Sequence, residues 1–146
     1  MIAAGISVGV FLLMELVVWI GHKYVMHGFL WALHRDHHVP SSHKAQRNDV
    51  FSLIFPLPSV ALCIAGTASG IDFRFWIGIG IALYGLTYFL LHDTLVHGRT
   101  RLLRYSDNFY FRAIVRAHND HHVGKENYGM MFMFPRRYFK NDHQVH

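Results

Sequence analysis

The chain has 146 residues, the length of one domain, yet 52% of them are hydrophobic and the mean hydropathy is +0.19, which argues for a membrane protein over a soluble one. A single cysteine, Cys63, excludes an internal disulfide and any cysteine-based metal site, and in its apolar stretch it reads as a small buried hydrophobe. The net charge of +5 would suit nucleic-acid binding, but in so apolar a chain the excess of Lys and Arg reads as loops facing the cytoplasm, and no nucleic-acid partner is expected.

From Ile2 to Ile20 only Ser7 and Glu15 interrupt an apolar run that, as a helix, reaches about 28 Å against a hydrocarbon core of about 30 Å. No Lys or Arg precedes Lys23, so the run reads as a first membrane span and not as a cleaved signal peptide. A second run extends from Val50 to Gly70, with Asp49 placed to cap its start and Pro56 and Pro58 placed to bend it. Phe75 to Leu91 makes a third, joined to the second by Ile71, Asp72, Phe73 and Arg74 as a membrane hairpin. Glycine pairs at four-residue spacing, Gly5 with Gly9 and Gly66 with Gly70, together with Gly78 and Gly85, permit close helix contact but read mainly as membrane composition.

Three spans place 21–49 and everything after Leu91 on one side of the membrane. Every histidine lies on that side, as does every Lys and Arg except Arg74, so the positive-inside rule makes it the cytoplasmic face of the inner membrane. The expectation is an all-α integral membrane protein in one domain over 1–146, with cytoplasmic histidine-bearing segments at 22–38 and 92–122. The aromatic stretch from Tyr128 to Phe139 is too short to span and is expected to lie in the interface or to re-enter partway.

The 13 histidines are grouped. Behind the first span stand His22 and His27, followed by Gly28, and behind the third stand His92 and His97, followed by Gly98. Each pair leads to a triple cluster, His34, His37 and His38 in the first case and His118, His121 and His122 in the second, so the module occurs twice. On a helix the i, i+3, i+4 triple spreads over about 100°, which lets three imidazoles converge, as metal binding requires. The i, i+5 pair is about 140° apart on an α-helix, so either the helix is distorted there or the two rings address different metals. His43, His143 and His146 stand outside the pattern and read as ordinary interfacial residues.

Ten patterned histidines exceed the four ligands typical of zinc, and imidazole also suits iron and copper. Soluble di-iron bundles use Glu-x-x-His motifs, but this chain has only Glu15 and Glu126, and neither forms one. Four carboxylates are candidates for orienting metal-bound imidazoles: Asp93 beside His92, Asp36 and Asp120 at equivalent places in the triple clusters, and Glu15, one helix face below His22. Asp36 and Asp120 sit about 200° from the first histidine of their clusters, so solvent or an Arg is an equal partner for them. A hydrogen bond to a neighbouring helix is the alternative for Glu15.

The segments His22 to Gly28, His34 to Pro40, Asn48-Asp49, Tyr88 to His97 and His118 to Val123 resemble the bacterial beta-carotene hydroxylases, members of the fatty acid hydroxylase superfamily. The resemblance runs from about Glu15 to Phe134. It implies a di-iron centre held by the ten patterned histidines and dioxygen-dependent hydroxylation of carotenoid rings at carbon 3. Electrons would come from a ferredoxin with an NAD(P)H-dependent reductase, since the chain has no dinucleotide fingerprint or cysteine cluster of its own. Arg99, Arg101, Arg104, Arg112 and Arg116 offer an acidic donor a basic face, although topology and lipid headgroups explain them equally well. A fatty acyl or sterol hydroxylase with the same metal site is the competing enzyme, and a membrane metal carrier or bis-histidine haem protein the competing non-enzyme.

Overall fold

The computed structural model describes residues 2–39, 45–100 and 108–140, and all regular elements among them are helical. Five α-helices follow in order: α1 (Ile2–Ile20), α2 (Trp31–His38), α3 (Pro56–Ala68), α4 (Phe73–Tyr88) and α5 (Phe109–His122). Wide π-helical turns extend α1 over Gly21–Phe29 and α4 over Phe89–Val96, and a 3-10 helix over Arg47–Ile54 leads into α3. Three helical stretches, Ile2–Phe29, Arg47–Ala68 and Phe73–Val96, are long and apolar enough to cross a membrane. Each exceeds its sequence-predicted span because the wide turn or the 3-10 helix prolongs it toward the histidine-bearing end.

Aliphatic residues such as Leu12, Leu13, Val60, Ile64, Leu83 and Leu86 are exposed on these helices, the distribution expected where lipid is the solvent. Packing is centred on α4, which lies against both α1 and α3. Small residues let the backbones close: a Cβ on Gly78 would stand 2.8 Å from the Ser59 carbonyl O, and one on Gly80 2.7 Å from that of Ser7. The hydroxyls of Ser7 and Ser59 donate across the same seams to the carbonyls of Trp76 and Gly78, at 2.8 and 2.9 Å. Gly5 and Gly9, expected as a pair, meet no neighbour within 4 Å.

The second span is not one bent helix. Its 3-10 part ends at Ile54, and Pro56 opens α3 at a position where its missing N–H would have had no partner anyway. Asp49 is not the first cap of this span but lies inside the 3-10 helix, where its carboxylate accepts the Gln46 N–H at 3.0 Å in a capping box. At the hairpin, Gly70 and Ile71 take positive φ angles of 83° and 63°, and Asp72 caps α4 by accepting the Arg74 N–H at 3.0 Å.

The 128–139 stretch re-enters the bundle. Met130, Met131, Phe134 and Tyr138 are buried, and the Glu15 carboxylate in α1 accepts the backbone N–H groups of Met130, Met131, Phe132 and Met133 at 2.9, 2.8, 3.2 and 3.2 Å. Its second oxygen accepts the Tyr84 hydroxyl of α4 at 2.7 Å. Irregular backbone at this depth is tolerated because a fully buried carboxylate satisfies its amides.

Candidate metal centre

The wide turns bring each i, i+5 pair together. In the second, the His97 N–H donates to the His92 carbonyl at 3.0 Å, a bond that spans five residues and brings the two rings edge to face with centroids 4.6 Å apart. In the first, His22 and His27 lie 5.1 Å apart, and the chain breaks out of helical geometry at Gly28 (φ −97°, ψ −122°). Of the two options left open by the spacing, the helix is distorted, and both rings of a pair address the same place. Gly98, with φ of +60°, ends the second turn as expected of a glycine there.

Ring nitrogens of His22, His27, His34, His38 and His121 all lie within 4.8 Å of one another, and so do those of His37, His97, His118 and His122. His92 joins the second group, its Nε2 3.1 Å from that of His37. Each triple cluster therefore gives its i and i+4 members to its own module and its i+3 member to the other: His37 crosses one way and His121 the other. The two groups abut where the His38 and His122 rings stack at 4.5 Å.

The hydrogen-bond pattern tests whether this donor set suits a cation. A neutral imidazole has one N–H and one lone pair. His22 Nδ1 faces the Tyr128 carbonyl at 3.2 Å, and His34 Nδ1 faces Asn48 Oδ1 at 2.6 Å; both partners are acceptors, so each ring carries its hydrogen on Nδ1 and its lone pair on Nε2. Yet these Nε2 atoms face each other at 3.2 Å. The second group repeats the arrangement: His92 Nδ1 faces Asp93 Oδ2 and His37 Nδ1 faces Gln46 Oε1, both at 3.4 Å, with the Nε2 atoms 3.1 Å apart. Opposed lone pairs at this distance repel unless a cation lies between them. The buried Nδ1 of His121 has no partner among the described residues.

A proton does not fill that role. Burial, followed by the like charge of neighbouring histidines, lowers His38 and His122 to about 4, His97 to about 3 and His121 to about 2; His34 is brought to about 4 by burial against a small opposing effect of Asn48. His37 and His118 are likewise pushed well below the ordinary value for the same reasons. All are neutral at pH 7, the state in which imidazole binds metal, so the residues fit two metal ions.

Among the four candidate carboxylates, Asp93 alone contacts a histidine ring among the described residues. It also accepts from Arg99 at 3.0 Å, and Arg99 in turn bonds Asp49 at 2.7 and 2.9 Å, tying the 3-10 helix to the second wide turn. Asp36 accepts the backbone N–H groups of Arg47 and Asn48 at 2.6 and 3.4 Å, so it reaches His34 only through Asn48. Asp120 pairs with Lys125 at 2.9 Å and the Tyr138 hydroxyl at 3.0 Å. Glu15, a candidate orienting carboxylate for which a hydrogen bond to a neighbouring helix is the alternative, makes that bond with Tyr84 of α4 and also holds the re-entrant loop. The other groups that orient imidazoles, Asn48, Gln46 and the Tyr128 backbone, are neutral, and only Asn48 lies in a segment the resemblance singled out. His43, His143, His146, Arg101 and Arg104 lie outside the described residues.

The fatty acid hydroxylase family model matches residues 7–141. A beta-carotene hydroxylase of Pantoea ananas is 35% identical over 127 residues, covering 84% of this chain and 72% of its own length. One from Paracoccus sp. (strain PC1) is 34% identical over 94% of this chain and 88% of the relative. The chloroplastic beta-carotene 3-hydroxylase of Gentiana lutea is 35% identical over 90% of this chain, which spans 42% of that longer protein. No solved structure matches. With a family model covering nearly the whole chain and ten histidines gathered into two facing groups, the chain belongs to the fatty acid hydroxylase family.

Proposed function

We propose that this protein hydroxylates the beta-ionone rings of carotenoids at carbon 3, converting beta-carotene to beta-cryptoxanthin and then zeaxanthin. The observation that carries the reading is the opposed pairs of histidine lone pairs, one in each five-imidazole group, beside a cavity that His22 and His92 line. The names of the relatives supply the substrate class. His22, His27, His34, His38 and His121 hold one iron, and His37, His92, His97, His118 and His122 the other. Bound iron supplies the oxidising power drawn from dioxygen that an unactivated carbon–hydrogen bond demands. Each turnover consumes one dioxygen, two electrons and two protons; one oxygen atom enters the ring as hydroxyl and the other leaves as water.

The protein's own part is to hold ten imidazoles with their lone pairs inward and to keep water from the apolar substrate. Tyr128, Asn48, Gln46 and Asp93 fix the rings through Nδ1. The electrons come from a ferredoxin and its NAD(P)H-dependent reductase, and the protein sits in the inner membrane with its histidines toward the cytoplasm, as the distribution of Lys and Arg supports. Pigment analysis of a beta-carotene-producing host expressing the chain tests the reading. Accumulation of 3-hydroxylated rings is expected; an unchanged pigment profile with well-expressed, iron-loaded protein overturns it.

A further inference from the structure

Two cavities lie on the same side of α4. The inner one, of about 310 Å³, is bounded by His22 and His92 at the metal centre and by Val18, Met26, Phe51 and Tyr88. The outer one, of about 370 Å³, is a groove between α3 and α4 whose edges include Pro56, Val60, Ala82 and Leu86. Both are lined by Ser52, Phe55, Tyr88, Phe89 and Asp93, so the two adjoin and trace one candidate path. Val60 and Leu86 are more than half exposed on helices that span the membrane, which places the outer mouth against lipid.

Phe55 stands at the threshold. It is buried at the joint between the 3-10 helix and α3, its ring 5.7 Å from that of Tyr84 and 5.2 Å from that of Tyr88. It packs there because Gly85 opposite has no side chain; a Cβ would meet the Phe55 Cβ at 2.6 Å. Tyr88 then carries the aromatic wall to the metal centre, with its ring 4.7 Å from that of His92. Asp49 and Arg99 also line the inner cavity, where Arg99 pairs with Asp49 and with Asp93 at the shared wall.

We infer that this path is the binding site of the carotenoid, with one six-membered ring in the inner cavity against His22 and His92 and the polyene lying in the α3–α4 groove and out into the bilayer. The inference rests on the hydroxylase reading above for the identity of the occupant. Size supports it: the inner cavity is at the lower limit of the roughly 300–1,000 Å³ of small-molecule sites, enough for a ring end and too small for a forty-carbon molecule. The remainder must leave the cavity, and the apolar way out is the groove. A conjugated polyene is stiff and lipid-soluble, so an entrance open sideways to lipid admits it without passage through water. The two rings of the substrate are then hydroxylated in separate visits, since only one end fits at a time. Ala82 and Leu86 are thereby specificity-determining positions at the mouth, and Phe55 is one at the threshold.

The test compares Ala82→Trp and Leu86→Trp, which fill the groove, with Leu83→Trp, the same enlargement at a neighbouring exposed α4 position that lines neither cavity. Purified proteins are assayed for bound iron, for beta-carotene retained through purification from a producing host, and for hydroxylated product. The expected result is about tenfold or greater loss of retained pigment and of product in the groove variants, with iron unchanged, and near wild-type values for Leu83→Trp. If one groove variant loses iron through misfolding, the other decides. Groove variants that keep iron and bind and convert beta-carotene like Leu83→Trp overturn the path. Pigment retention that depends on the groove in a protein that never hydroxylates leaves the path standing and overturns the hydroxylase reading.

Discussion

His92 and His97 are joined through their backbones, the N–H of the second donating at 3.0 Å to the carbonyl of the first, and this bond turns a five-residue spacing into a shared direction for two imidazoles. On an α-helix the same residues would diverge by about 140°. The wide turn also ends the membrane-crossing part of α4, so the element that crosses the bilayer and the element that aims the ligands are one helix with two pitches.

Replacing any of the ten grouped histidines by Ala is expected to abolish or nearly abolish hydroxylation, while His43→Ala and His143→Ala retain it. The exchange between modules sharpens this: His37→Ala should impair the group of His97, His118 and His122 and spare that of His22, His27 and His34. Bound iron per chain, with Mössbauer spectra at matched protein levels, separates the outcomes. Fully active variants at several grouped positions would refute the assignment.

Asp93→Asn removes the carboxylate that faces His92 Nδ1 and accepts from Arg99. Loss of such an orienting partner typically costs about 10–100-fold in metal affinity or activity. Asn48→Ala should act likewise through His34, whereas Asp120→Asn, which disturbs only Lys125 and Tyr138, should leave iron affinity within about twofold. Competition with a chelator measures all three.

Acid is expected to release the metal before it denatures a histidine-free membrane helix. An unfolded histidine has a pKa of about 6.5, whereas His34, His38 and His122 lie near 4 in the folded protein, so the unfolded chain binds more protons throughout that interval. The stabilising effect of keeping them neutral is complete above about pH 6.5 and is lost as pH falls toward about 4. Titration of bound iron and of near-UV circular dichroism should show the transition inside this window; iron retained unchanged at pH 4 would contradict it.

Glu15→Ala leaves the buried N–H groups of Met130 and Met131, the half-buried ones of Phe132 and Met133 and the Tyr84 hydroxyl without their acceptor. At about 1–3 kcal/mol for each unsatisfied buried group, not additive, the loss should amount to several kcal/mol and free the 128–139 segment. Limited proteolysis in that segment should rise sharply in Glu15→Ala, and Tyr84→Phe should show a smaller effect. Tyr128 precedes this anchored stretch and orients His22, so iron affinity should fall as well, and partial rescue by Glu15→Gln would distinguish a loop anchor from a required charge.

In a Cys63→Ser background, a cysteine at Ser69 in the hairpin should be labelled by an impermeant reagent from outside the cell and one at Lys125 should not, because all Lys and Arg except Arg74 lie toward the histidine-bearing end. Labelling of both from the same side would end the three-span topology.

Much of this was legible in the sequence because its signals are local. Unbroken apolar runs reveal spans, and a histidine pattern stated twice reveals the metal groups. What escaped was set by contacts between distant residues. Glu15 read as an orienting carboxylate because helix geometry places it beneath His22, and nothing in its surroundings announces a loop of amides arriving from residues 130–133. The wide turns were one of two options at the i, i+5 spacing, and the choice depended on both rings having partners across the bundle. The exchange of His37 and His121 was equally hidden, since position within a cluster does not say which partner cluster a ring will meet.

That exchange orders events in time. As the chain emerges from the ribosome, the first module presents His22, His27, His34 and His38 long before His121 exists, and its set is completed only by the far end of the chain. The second module in turn waits on His37, already made. Neither set closes without the other half, so the centre acts as an assembly checkpoint: a truncated or half-inserted chain has no complete nest of imidazoles, and full metal loading reports that the two histidine modules have met.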